Sequence, residues 1–312
     1  MIELQGVTKR YEKTVAVAGI DYRFRPGKLT GFLGPNGAGK STTIRMIMNI
    51  IAPDSGRITA GGEPLSEAFR NRLGYLPEER GLYKKMKVLD HLVFSGGLKG
   101  LARGEARRRG LAWLERLGLA DRAQSKVEDL SKGMQQKIQF AGTLLHEPEL
   151  VLLDEPFSGL DPLNVDAFKA ILLELRTRGV TLIFSTHMME QAEQLCDEIA
   201  LIDSGRLVLS GTLAELRAGY GRSNLRVRFA GDGGVLRSDP RVASYSEPKP
   251  GLAELRLTDA DQVSAVLRDW SARLAIDHFE VMVPSLHNIF IHTVTAGAGA
   301  GARQEGGAAW TR

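Results

Sequence analysis

One cysteine, Cys196, occurs in 312 residues. A disulfide needs two, so no intramolecular disulfide framework braces this fold, and a reducing setting is compatible with that. In the pattern Ala192-Glu193-Gln194-Leu195-Cys196-Asp197-Glu198-Ile199, Cys196 falls on the apolar side of a helix, which points to packing rather than reactivity. No stretch approaches the roughly 20 consecutive apolar residues that a membrane helix needs. The chain is therefore not expected to be a channel or permease itself. Its start, Met1-Ile2-Glu3-Leu4-Gln5, lacks the charged beginning and apolar core of a secretory signal. Charge of one sign is also scarce. Lys and Arg number 41 against 37 Asp and Glu, a net +4 that is too small to argue for a nucleic-acid partner. The run Arg107-Arg108-Arg109 lies in a helical stretch and reads as a solvated face rather than a contact with an anionic membrane. Sustained heptads are missing too. What remains, 43% hydrophobic and 25% charged residues, is enough for a globular core. The length allows about two domains.

Residues 1–60 read as short strands: Ile2 to Val7, Val15 to Phe24 and Leu29 to Leu33, punctuated by Pro26-Gly27. Leu73-Gly74-Tyr75-Leu76 adds another. From Val88 to Leu119 the apolar spacing turns helical. Leu150 to Asp154 and Val180 to Ser185 read as buried parallel-type strands joined by a helix over Leu163 to Arg178, a strand–helix–strand unit that implies a parallel sheet with helices on its faces. Ile199 to Leu209 is a hairpin turning at Ser204-Gly205. After about Tyr220 the character changes. Leu225 to Phe229, Leu252 to Leu257 and Phe279 to Val283 alternate like strands, and Asp259 to Leu274 reads as an amphipathic helix capped by Thr258, a small α+β module. From Ala296 on the chain is Ala/Gly-rich and is expected to be a disordered tail over 296–312.

Gly34-Pro35-Asn36-Gly37-Ala38-Gly39-Lys40-Ser41-Thr42 fits G-x-x-x-x-G-K-[ST], the phosphate-binding loop of P-loop NTPases. A strand precedes it, and Thr43 to Met48 reads as a helix after it. Glycines let backbone N–H groups curl round an anion, and the helix N-terminus adds roughly half a positive charge. Lys40 is expected to reach the β- and γ-phosphates of ATP, and the Ser41 hydroxyl to ligate Mg²⁺. A second nucleotide signal is Leu150-Val151-Leu152-Leu153-Asp154-Glu155, whose two carboxylates emerge at the C-terminal end of a central strand, where ligands sit in open α/β sheets. Asp154 suits a water-mediated hold on Mg²⁺, and Glu155 the polarisation of an attacking water.

About twenty residues before that strand stands Leu130-Ser131-Lys132-Gly133-Met134-Gln135, which resembles the signature of ATP-binding cassette (ABC) ATPases. Other elements follow in family order over residues 1 to about 215. Tyr11 matches the aromatic that stacks on adenine. Ser158-Gly159-Leu160-Asp161 matches the loop after the catalytic glutamate, and His187 the histidine that contacts the γ-phosphate. The resemblance implies an α/β fold with a RecA-like parallel sheet, an antiparallel β subdomain and a helical subdomain over about 86–148. It implies an ATP-binding domain over 1–220 and an accessory domain over 221–295. It also implies a head-to-tail homodimer in which each ATP lies between the Lys40 loop of one copy and Ser131, Gly133 and Met134 of the other, with Asp161 crossing the interface. Ser131 would cap its helix and present a donor at once.

The sequence departs from the commonest pattern in two places. Lys132 and Met134 stand where glycine and glutamine are usual, and Glu78, in Leu76-Pro77-Glu78-Glu79, stands where the family has a glutamine contacting Mg²⁺ through water. A glutamate can still ligate Mg²⁺ while adding charge. Tyr75 to Tyr83, Leu130 to Lys137 and Pro156 to Pro162 resemble the ATP-binding subunits of bacterial sodium-extrusion (NatA-like) and drug-resistance exporters, and Val283 to Ile291 resembles the accessory domain of that group. An ATPase on the cytoplasmic face of the membrane, driving a separate permease that docks near Glu78, is the expectation. A soluble cassette acting on nucleic acid or ribosomes usually has two cassettes or long coiled coils, and a P-loop kinase would leave Ser131 and His187 unexplained. His278, His287 and His292 do not have convincing metal-ligand spacing.

Overall fold

The computed structural model describes residues 1–79, 81–219, 223–282, 285–291 and 293–294. Arg80, Tyr220, Val283, Pro284, His292 and the stretch from Ala296 lie outside the described residues. The chain forms two compact units, one ending at Ser210 and the other beginning at Gly211.

In the first unit, β1 (Ile2–Tyr11) and β2 (Thr14–Phe24) form an antiparallel hairpin. After β3 (Leu29–Leu33) and α1 (Lys40–Ile47), the strands β4 (Ser55–Ala60) and β5 (Glu63–Pro64) complete a four-stranded sheet in the order β2-β1-β4-β5. The chain continues through α2 (Glu67–Asn71), β6 (Leu73–Leu76), α3 (Val88–Leu98), α4 (Arg103–Arg116), α5 (Lys132–Leu144) and β7 (Leu150–Asp154). Then come α6 (Pro162–Thr177), β8 (Thr181–Thr186), α7 (Met189–Leu195), β9 (Glu198–Asp203) and β10 (Arg206–Thr212). A six-stranded sheet runs β10-β9-β3-β8-β7-β6, and its ladders from β9 to β6 are parallel. Every residue of β3 and β7 is buried, as expected for strands covered on both faces. One core joins the two sheets: Leu4, Val17 and Phe24 of the antiparallel sheet pack with Phe32, Ile44, Leu152 and Ile183.

The helical region differs from a single period over Val88 to Leu119. Two helices, α3 and α4, are separated at Lys99–Ala102, where Gly100 takes a φ of 85° that ends the first. Arg109 is not on a purely solvated face. Its guanidinium pairs with Glu105 and Glu147 and donates to the Leu145 carbonyl. The β9–β10 turn falls at Ser204 and Gly205, with φ of 48° and 78°, the geometry of a two-residue hairpin. Cys196 is buried but lies at the C-cap of α7 rather than within the helix.

The second unit holds α8 (Leu213–Gly219), β11 (Asn224–Ala230), α9 (Gly234–Arg237), β12 (Val242–Lys249), β13 (Leu252–Leu257), α10 (Val263–Ser271) and β14 (Ala275–Val281). The strands form an antiparallel sheet in the order β12-β13-β11-β14. Leu225, Val227, Phe229 and Leu255 face Val266 and Trp270 of α10 across one core. Two expectations are corrected here, and one strand was not foreseen. The helix α10 starts only at Val263, with Gln262 at its N-cap, and Asp259 rather than Thr258 caps the short 3₁₀ turn before it, its carboxylate accepting from the Asp261 N–H. The last strand lies earlier than Phe279 to Val283, since its register places Ile276 opposite Phe229. The edge strand β12 carries Pro248, which the alternation did not suggest, and edge position is where a strand tolerates proline.

Candidate functional site

β3 ends at Leu33 and the chain turns sharply into the Lys40 loop. Two of its glycines are required sterically. A Cβ on Gly34 would lie 2.1 Å from the Ile202 carbonyl oxygen, and one on Gly39, at φ 102°, would lie 2.2 Å from the Ala16 carbonyl oxygen. Neighbouring backbone therefore presses on the loop from both sides. α1 begins at Lys40 itself rather than at Thr43, which puts the first helical N–H groups within the motif. The Lys40 side chain is buried, and its ammonium donates to the carbonyls of Gly34 (2.8 Å) and Pro35 (3.1 Å). Burial pulls this ammonium below the usual lysine range, while Glu155, Asp154 and Glu78 oppose the shift. Those three carboxylates all face one lysine.

They share a cavity of about 250 Å³ with Asn36, Gly37, Gly39, Lys40, Ser41, Thr42 and Ala16. Gly34, Pro35 and Ala38 build the loop without lining this space. Ala16 was not foreseen. It contributes backbone from β2, and no side-chain chemistry in the sequence marks it.

The parallel β7–β8 register sets Asp154 opposite Ser185 and delivers the catalytic candidates together. The Ser185 hydroxyl donates to the Asp154 carboxylate in a buried pair. Glu155 sits at φ 47°, a left-handed conformation uncommon for a residue with a side chain. Its Oε2 accepts from the Thr186 hydroxyl (3.1 Å), and its Oε1 accepts from the His187 backbone N–H (2.9 Å) and pairs with His187 Nδ1 (2.7 Å). His187 is about half exposed and Glu155 largely covered, so the histidine stands between the glutamate and solvent.

Oxygen donors from Ser41, Glu78 and Asp154 open on the same cavity, and a hard-oxygen set of this kind fits Mg²⁺. Among the described residues no three His, Cys, Asp or Glu side chains converge closely enough to cage an ion. A cation here would take further ligands from phosphate and water, which is the usual habit of Mg²⁺.

The remaining candidates lie elsewhere. Ser131 caps α5, accepting from the Met134 N–H at 3.3 Å, and a Cβ on Gly133 would stand 4.0 Å from the Leu160 side chain. Asp161 caps α6, accepting from the Asn164 N–H at 3.0 Å, with Pro162 in the first helical position. Ser131, Gly133, Met134 and Asp161 do not line the Lys40 cavity. Neither does Tyr11, which ends β1 at 46% exposure beneath the Lys9 ammonium, 5.8 Å from the ring centre.

The ABC transporter family profile matches residues 17–158, and the profile of the DrrA1-3-like ATP-binding protein C-terminal domain matches 211–294. An uncharacterized ABC transporter ATP-binding protein of Bacillus subtilis, YhaQ, is 41% identical over 296 residues, covering 95% of this chain and 99% of its own. The daunorubicin/doxorubicin resistance ATP-binding protein DrrA of Streptomyces peucetius is 31% identical over 300 residues, covering 93% and 91%. Among solved structures, an ATP-binding subunit of an ABC transporter superposes with a TM-score of 0.66 at 32% identity, covering 70% of this chain and 93% of its own. The converging loop, the paired carboxylates and relatives matched along nearly the full length lead to one conclusion: the chain belongs to the ATP-binding, ATP-hydrolysing subunits of ABC transporters.

Proposed function

We propose that this chain powers a separate membrane permease that exports a drug-like compound or ion, working as a homodimer that closes on ATP. Lys40 and the N–H groups of residues 34–42 hold the phosphates. Ser41 and Asp154, with Glu78, would hold Mg²⁺ directly or through water, and the ion would supply positive charge to the phosphates. Glu155 polarises the attacking water once His187 turns from it to the γ-phosphate. Tyr11 stacks on adenine. Ser131, Gly133, Met134 and Asp161 serve the ATP held by the second copy. The observation that carries this reading is the convergence of Lys40, Glu78, Asp154 and Glu155 on one cavity that Ser131 and Gly133 do not reach.

The cassette spans about 1–220 and an accessory domain about 221–295. Export is supported by the likeness to DrrA, a daunorubicin/doxorubicin resistance ATP-binding protein, and by the DrrA-like match at 211–294. No helix among the described residues is long and apolar enough to cross a membrane. In the proposed role the transport path belongs to a partner permease and this chain works at the cytoplasmic face, a reading supported by its membership of the ABC family. The test is capture of tagged Glu155→Gln protein with ATP from nuclease-treated, detergent-solubilised membranes, read by mass spectrometry. A stoichiometric multi-span protein is expected. Recovery of ribosomal or nucleic-acid-handling proteins alone would overturn the transporter assignment.

A further inference from the structure

Helix α5 does more than present Ser131. Gln136 and Gln139, both buried, lie one turn apart on a single face of it. Gln136 Nε2 donates to the Pro156 carbonyl (3.1 Å), beside Glu155. Gln139 Nε2 donates to the carbonyls of Pro77 and Glu79 (3.2 Å each), so one amide group straddles Glu78. A turn further on, the Thr143 hydroxyl lies 3.1 Å from the Tyr75 carbonyl oxygen on the strand leading to that loop.

The Gln139 amide cannot simply turn over, because that would set its oxygen against two carbonyl oxygens. In the orientation found, Oε1 is buried without a hydrogen-bond partner among the described residues. An unpaired buried acceptor is a cost that a leucine would not incur. What glutamine adds over leucine at this position is the pair of donors on either side of Glu78. The helix that Ser131 caps is therefore tied about 12 Å along its axis, by the rise per residue, to the backbone carrying a cavity carboxylate.

We propose that Gln139 is a positioning residue: by holding the carbonyls of Pro77 and Glu79 it fixes the Glu78 carboxylate in the phosphate cavity, so that displacement of α5 at Ser131 moves Glu78. This rests on the reading of Glu78 as a group of the metal–phosphate site. The two are separable in one experiment on the full-length chain, steady-state ATP hydrolysis titrated with Mg²⁺, run on Gln139→Leu, Gln139→Met, Glu78→Ala and the Gln139→Leu/Glu78→Ala double variant.

Gln139→Leu removes the unpaired acceptor but also leaves the Pro77 and Glu79 carbonyls without these donors, so the two effects oppose and its melting temperature should shift by no more than a few degrees. The Mg²⁺ needed for half-maximal rate should rise about tenfold, the low end for losing a partner that orients a metal ligand. Metal-free ATP affinity should stay within about twofold, because the Lys40 loop is untouched. Gln139→Met should behave alike, and Gln139→Leu should add nothing to Glu78→Ala. If Glu78→Ala raises the Mg²⁺ requirement and Gln139→Leu does not, the positioning role is wrong while Glu78 keeps its place. If Glu78→Ala leaves the requirement unchanged, the Glu78 reading fails and the inference with it. A Gln139→Leu effect that persists in full without Glu78, or activity in both single Gln139 variants that merely follows lost folded protein, also overturns it.

Discussion

At the scale of the residue, the proposed roles of Glu155 and Lys40 separate binding from chemistry. Glu155→Gln should retain ATP binding and lower turnover by about 10²–10⁴, the usual worth of a positioned base. Near-normal hydrolysis would remove Glu155 from that role. Lys40→Ala should weaken binding itself by roughly 10- to 100-fold, the loss of charge-assisted hydrogen bonds, and unchanged affinity by calorimetry would refute the phosphate assignment. Glu78→Gln should keep hydrolysis within about an order of magnitude, since an amide oxygen can replace a carboxylate oxygen in a water-mediated contact. Complete loss would give Glu78 a role of its own. His146 makes a different prediction. Burial, with the nearby Lys99 charge, pushes its imidazole down from 6.5 to about 4, while Nε2 lies 3.1 Å from the Leu73 carbonyl. The unfolded chain then takes up this proton near 6.5 and the folded one only near 4, so stability falls as pH drops through that window, by at most about 3 kcal/mol. His146→Gln, which can still donate to Leu73, should flatten the fall in melting temperature between pH 6.5 and 5. An unchanged slope would remove His146 as the cause.

At the scale of the element, short strands with sharp limits were the easiest to read. β3, β6, β7 and β13 end where the sequence puts them, because each is bounded by a change of polarity or a turn residue. The loop motif and Asp154-Glu155 were legible for the same local reasons, and the helix expected from Leu163 begins one residue earlier, at Pro162. Harder were features set by neighbours. The break between α3 and α4 depends on one residue of left-handed backbone, and the approach of Ala16 to Gly39 depends on which strand packs above the loop. The pairing of His187 with Glu155 follows from the β7–β8 register and carries no signal within either segment. Tyr11 matches a family position, yet its side chain lies off the cavity wall. In the second unit, Asp239 joins elements that the alternation treated separately. Its carboxylate accepts from Trp270 Nε1 of α10 at 2.8 Å and from the Arg241 side chain and N–H. Arg241 holds it well below the usual carboxylate range. Asp239→Ala strands the buried indole N–H and should cost about 2–4 kcal/mol of this unit's stability by denaturant titration, leaving ATP affinity unaltered. Destabilisation under about 0.5 kcal/mol would show that the network contributes little.

At the scale of the whole molecule, the two groups of nucleotide-site candidates occupy different surfaces of one copy. Lys40, Ser41, Glu78, Asp154 and Glu155 surround a single cavity, while Ser131 and Asp161 cap helices outside it. A monomer can bind ATP with the first group alone. In the proposed homodimer a second copy would bring an α5 N-terminus to the γ-phosphate, and ATP itself would be the glue of the assembly. The measurement that tests this most directly is the mass of purified Glu155→Gln protein by light scattering with and without ATP and Mg²⁺. A shift from monomer to dimer that needs the nucleotide, and that Ser131→Arg abolishes while ATP still binds, is the expected result. A protein that stays monomeric with ATP bound, or a dimer indifferent to both ATP and Ser131→Arg, would contradict the shared site.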